Sequence, residues 1–177
     1  MKELPIKPQY KHSKLGQICF NISAKATIFF VRHRVLYYLV SIVWNFPMFL
    51  VGTLITTILG ITAIFTKKIK FKKYHWVYYI SIGPDYWGGF DTALMFIRDH
   101  RSVDKYLNTH EWGHSIAQGT WLGPLFPFVV AIPSISRWWA RELNKKKQWP
   151  AYDAVWFEDA ATQCGNWAAK QLEIIKK

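Results

Sequence analysis

Acidic side chains are scarce in this sequence, and so are cysteines. Eleven Asp and Glu stand against 23 Lys and Arg, a formal net charge of +12 over 177 residues. A surplus of that size favours an anionic partner, either nucleic acid or the anionic leaflet of a membrane. The only cysteines, Cys19 and Cys164, form no CxxC pair. That excludes a disulfide framework and a thiolate metal site, and both read as buried or membrane-facing thiols. No charged residue falls between Val35 and Thr66. The chain shows no internal repeat and no low-complexity tract. Its N-terminus shows no cleavable signal pattern: the first apolar run begins near Thr27, after a basic lead, and no small-residue cleavage site follows it.

Aromatic residues, by contrast, are abundant: ten Trp, nine Tyr and twelve Phe. Trp and Tyr gather where an apolar body meets a wet edge, as at a bilayer surface. The positive charge lies in Lys2 to Lys25, Arg32 and Arg34, Lys67 to Lys73, and Arg137 to Lys147. Each cluster flanks an apolar run, which points to an anionic membrane surface. Lys67 to Lys73, followed by Tyr74, Trp76 and Tyr78, imitates a nucleic-acid surface, but its position makes it a juxtamembrane flank. Nucleic acid is therefore not the expected partner. Nothing in the sequence signals an oligomeric state.

The chain divides into three regions. Residues 1–34 form a basic tail with an interfacial helix over Leu15 to Phe30. Residues 35–66 form a membrane segment of 32 uncharged positions, more than the ~20 that one spanning helix needs. Asn45-Phe46-Pro47 interrupts it, since proline kinks or breaks a helix. The segment is either one kinked, tilted span or a re-entrant hairpin turning at Asn45 to Pro47; basic residues at both ends favour the hairpin. Residues 67–177 form the core. Here His75 to Ile82 and Phe90 to Ile97 read as strands, joined as a hairpin through Gly83-Pro84-Asp85 and Gly88-Gly89. Ser102 caps a helix from Val103 to Gln118, which Gly119 ends. Trp121 to Ala140 is apolar but carries prolines at 124, 127 and 133, so residues 121–140 read as re-entrant. A last helix covers Tyr152 to Ile175.

His110-Glu111-Trp112-Gly113-His114 is an HExxH motif. Its chance appearance in a chain with six His and five Glu is roughly half a percent. On a helix the two imidazoles share a face and can grip one Zn²⁺, which keeps a position for water and lowers its pKa toward ~7. Glu111 can reach that water as general base and pass the proton to a leaving nitrogen. Gly113 leaves room beside the metal. The third ligand is expected at Glu158, 44 residues after His114, with Asp153 as a weaker alternative. Ala161 lets the two helices lie close. Asp159 is placed to orient a ligand histidine, and Tyr152 to stabilise an oxyanion. Phe90 to Ile97 is placed as an edge strand that could pair with an extended peptide. His75 and His100 read as structural or surface residues.

HEWGH with the following Gln118, then Leu122-Gly123-Pro124-Leu125, Pro133-Ser134 and the Trp156-Phe157-Glu158 helix, resembles a group of small bacterial membrane-associated HExxH proteins, over about residues 75–170. The wider likeness is to gluzincin metallopeptidases. That resemblance implies His110, His114 and Glu158 as zinc ligands and Glu111 as base; Phe157 departs from it, standing where thermolysin-like members often carry Asn. The expected fold is α+β: a minimal zincin-like core of short antiparallel sheet, HExxH helix and glutamate-bearing helix, with a membrane-embedded apolar helix or hairpin. The expected activity is zinc-dependent hydrolysis of peptide bonds, in a bacterial inner membrane with the basic flanks cytoplasmic.

Overall fold

The computed structural model describes residues 4–66, 69–82, 88–99 and 105–175. Its architecture is α+β, with helices gathered around one small mixed sheet.

Helix α1, Lys14–Arg32, starts where Ser13 Oγ accepts the Gly16 N–H at 3.2 Å. Gly16, Phe20, Ala24, Thr27 and Val31 recur at helical spacing and form its buried face. Leu15, Ile18 and Phe29 on the other side are exposed. The uncharged run that follows is two helices, α2 (Arg34–Val43) and α3 (Phe46–Thr66), broken at Trp44-Asn45. Pro47 sits in the first turn of α3, where its missing N–H costs nothing. Among the described residues α3 is the single unbroken helix long and apolar enough to cross a membrane, with a mean hydropathy of 2.2 and 11% of its most apolar stretch buried. Its 21 residues span about 32 Å against a hydrocarbon core of ~30 Å. Thr53, Thr57, Thr62 and Thr66 each return their hydroxyl to the carbonyl four residues back, at 2.8–3.1 Å. The exposed side of α3 therefore presents no unsatisfied threonine.

The sheet departs from the expected antiparallel hairpin. It has four strands, β1 (Lys70–Tyr74), β2 (Val77–Ser81), β3 (Gly89–Asp91) and β4 (Met95–Arg98), in the order β1-β2-β4-β3. β1 and β2 are antiparallel, joined through His75-Trp76 with His75 at φ 46°. β2 and β4 run parallel. The stretch Phe90 to Ile97 is not one strand, because the chain reverses at Thr92 to Leu94 and pairs β3 with β4 antiparallel. Ala93 takes φ 73°, and Thr92 donates both its N–H and its hydroxyl to the Met95 carbonyl at 2.7 and 2.6 Å.

α4, Lys105–Gly113, continues through a wide π-type turn, His114–Gly119, into α5, Thr120–Leu122. Gly119 does not end it, having an ordinary helical φ of −56°. The helix ends at Gly123, φ 51°, a left-handed conformation that glycine adopts without strain. The chain then bends by 111° between Tyr106–Leu125 and Pro127–Leu143, whose last part is α6, Ile132–Leu143. The last helix, α7, runs Trp156–Ile175, after a single turn at Tyr152–Ala154.

Candidate metal centre

α4 and α7 cross backbone to backbone. A Cβ on Gly113 would fall on the Ala161 carbonyl, and one on Gly165 on the Thr109 carbonyl. Gly113 therefore makes room for α7, and not for a metal as expected from sequence. The close crossing brings Glu158 of α7 under the two histidines of α4. Ligating atoms of His110, His114 and Glu158, all buried, lie within 4.8 Å of one another and could hold a metal ion. Glu158 Oε2 is 3.1 Å from His110 Nε2 and 3.3 Å from His114 Nε2.

The proton positions follow from what lies behind each ring. Gln118 gives its amide N–H to the Phe157 carbonyl, so its Oε1 accepts from His114 Nδ1 at 2.7 Å. Asp153 Oδ2 can only accept, so Thr162 Oγ1 donates to it at 3.1 Å and accepts from His110 Nδ1 at 2.8 Å. Tyr106 also donates to Asp153, at 2.6 Å. Both rings thus carry Nδ1–H and turn an Nε2 lone pair toward the same carboxylate oxygen. Among the described residues neither Glu158 oxygen has a hydrogen-bond partner, and the side chain is fully buried. Two imidazole lone pairs facing a buried carboxylate make three electron-pair donors, an arrangement that a cation would complete.

Glu111 lies beside the triad, buried, with its carboxylate against Gly89 of β3, where a Cβ would strike it. Burial first, and the neighbouring Glu158 charge, push its pKa up to about 8, against the pull of the Arg98 charge. A cation in the triad would act in the opposite sense. Tyr152 donates to or accepts from Ser134 Oγ at 2.8 Å, and its ring lies 6.5 Å from that of His110. Burial raises its pKa, so the phenol keeps its proton. A cavity of about 370 Å³ joins these groups, with Glu111, Asp91, His110, His114, Tyr106 and Tyr152 among its lining. Leu107, Phe126, Val130, Ile135, Trp138 and Trp139 make its apolar walls.

Two carboxylates stand elsewhere than expected. Asp159 orients neither His110 nor His114; it points away from Glu158, as neighbours on a helix do. It holds the N-terminal tail, accepting from the Gln9 and Tyr10 amides at 3.0 and 3.2 Å and lying 2.8 Å from His12 Nε2. Asp153 is not part of the ligand triad but backs His110 through Thr162. Of the predicted edge strand Phe90 to Ile97, Phe90 and Asp91 lie at the sheet edge and line the cavity, together with the preceding Gly89. His75 stacks on Trp112 with ring centroids 5.2 Å apart; His100 and Ser102 lie outside the described residues.

Sequence reasoning missed the orienting roles of Thr162 and Gln118, although each stands one helical turn after a ligand, Glu158 and His114. It also missed Asp91, a buried acid on the cavity wall whose pKa burial and then Glu111 raise well above normal. No family model, curated protein or solved structure matches this chain.

Proposed function

We propose that this chain is a membrane-embedded, zinc-dependent hydrolase of peptide bonds, seated in a bacterial inner membrane with its basic flanks toward the cytoplasm and the anionic leaflet. The observation that carries this reading is the convergence of two Nε2 lone pairs on the unpartnered carboxylate of Glu158, with both Nδ1 atoms committed elsewhere. Two imidazoles and one carboxylate suit zinc, and three protein ligands leave a fourth position open. In that position zinc supplies a Lewis acid and a water with its pKa lowered toward ~7.

The chain's own groups do the rest. Glu111 faces the cavity one residue after His110; it takes the proton of the attacking water and hands it to the leaving nitrogen. Tyr152, kept protonated, offers its O–H to the developing oxyanion. Gly89 to Asp91, at the sheet edge, offers main-chain groups to an extended substrate. In this reading α4, α7 and the sheet form a zincin-like core, with β3 as the strand beside the metal.

Metal analysis of the purified chain tests the premise: wild type should carry one zinc, and His110→Ala and Glu158→Ala little or none. Glu111→Gln should keep zinc and lose hydrolysis of a peptide panel. Unchanged turnover in that variant would defeat the assignment. The apolar walls of the cavity favour a second reading, hydrolysis of a lipid or other amide by the same residues, which lipid amides in the panel separate. Stoichiometric zinc with no turnover of either class would leave a non-catalytic zinc protein.

A further inference from the structure

α3 measures the depth of the site. Gly52 lies so close to Thr92 that no side chain fits between them, and Thr56 Oγ1 is 2.7 Å from Met95 Sδ. These residues stand about 9 and about 15 Å along a helix about 32 Å long. The β3–β4 turn therefore touches α3 near its middle. Met48, within the first turn of α3, packs in one cluster with Phe126, Val130 and Ala131, which also line the metal cavity. In a bilayer that α3 crosses, the cavity lies at hydrocarbon depth.

The cavity rim fits that depth. Among its lining residues the exposed ones are Tyr106, Ile135 and Trp139, at 45, 40 and 54%, and none of them is charged. Exposed Phe128, Val129 and Ile132 extend the same surface along the bent segment. Two cations of the bent segment are folded back among the described residues. Arg137 and Arg141 donate to the Tyr152 and Pro150 carbonyls and lie 5.9 and 5.6 Å from the Tyr152 ring centroid.

The interior narrows the choice of occupant. At about 370 Å³ it is near the lower end of the ~300–1,000 Å³ of small-molecule pockets. It holds one or two large side chains and not a pair of acyl chains. Asp91 and Glu111 on its wall give an anionic headgroup nothing to bind. Gly89 to Asp91, by contrast, presents backbone groups suited to a polypeptide.

Resting on the hydrolase reading, we infer that the metal cavity opens sideways into the bilayer. Its substrate is a membrane-inserted polypeptide segment with bulky apolar residues beside the scissile bond.

The test uses the full chain in vesicles of phosphatidylcholine and phosphatidylglycerol. Cys164 is buried and does not label, so only Cys19 is replaced, by Ser. A fluorophore is placed at Ile135→Cys, at Trp139→Cys as a second rim position, and at Lys146→Cys as the water-side reference. Lipids brominated in their acyl chains should quench both rim labels several-fold more than the reference, and aqueous iodide should do the reverse. Iodide quenching of both rim labels to the level of the reference overturns the sideways opening. For the substrate class, zinc-loaded Glu111→Gln is offered two photoreactive probes: an apolar helical peptide of about 20 residues and an N-acyl amide lipid. Capture of the peptide supports the inference; capture of the lipid alone overturns it. If wild type captures the peptide and never cuts it, the opening and the class stand while the hydrolase reading falls.

Discussion

Replacing Thr162 by Val removes a single hydroxyl from the far side of His110, away from the candidate metal position. That hydroxyl accepts His110 Nδ1–H at 2.8 Å and donates to Asp153 at 3.1 Å. Valine is close to threonine in volume, so the α4–α7 crossing keeps its spacing. The imidazole N–H, however, is left buried without an acceptor, which costs about 1–3 kcal/mol. At a factor of ten per 1.4 kcal/mol, zinc affinity should fall by about 5- to 150-fold, consistent with the about 10- to 100-fold seen for groups that orient a metal-bound histidine. The assay is competition against a fluorescent zinc chelator at one neutral pH, beside a thermal melt of the metal-free chain. Thr162→Ser keeps the hydroxyl and should stay within about twofold of wild type, and Asp153→Asn should fall between the two. Wild-type zinc affinity in Thr162→Val, with an unchanged metal-free melt, would refute the reasoning: His110 would not then be oriented through Nδ1–H.

Gly113→Ala drives a methyl group into the Ala161 backbone and should destabilise even the metal-free chain by about 1–3 kcal/mol, read as a lower Tm; a metal-free chain as stable as wild type contradicts the backbone crossing. Asp159→Asn should release the tail without touching the site, so the Gln9 and Tyr10 amides exchange with solvent about tenfold faster or more while zinc affinity holds. A tenfold loss of zinc affinity in that variant would return Asp159 to the metal's surroundings. Glu158→Gln keeps the shape of the side chain and removes its charge; zinc per chain after gel filtration should fall close to none, and full occupancy would mean that another residue is the third ligand.

The metal helix was legible because a spacing of four residues fixes a shared helix face whatever surrounds it. Glu158 was legible as an acid in an apolar segment, which needs a partner to be buried. Its neighbour Asp159 was misread because adjacency in sequence is not adjacency on a helix; the orienting groups are one turn on, at Thr162 and Gln118. β1 was hidden in a run of lysines, whose strand role depends on pairing with β2 and not on local preference. The reversal at Thr92 to Leu94 carries neither glycine nor proline, so nothing in Phe90 to Ile97 marks a break. Between two glycines the sequence pointed to the wrong helix end. Gly119 is small because Asn45 lies against it, whereas Gly123 takes the positive φ. The break in the apolar run was visible at Pro47; that the remainder forms a full-length α3 depends on where α2 ends.

Where α4 meets α7, two main chains touch through Gly113 and Gly165. The gap between the histidine pair and Glu158 is thereby set by the radii of a carbonyl oxygen and an α-carbon, quantities that no substitution in the surrounding walls can alter. Cavity-wall residues such as Phe126 and Trp139 can then change in size while His110, His114 and Glu158 keep their spacing. A scaffold with that separation of duties can vary its walls without moving the three candidate ligands.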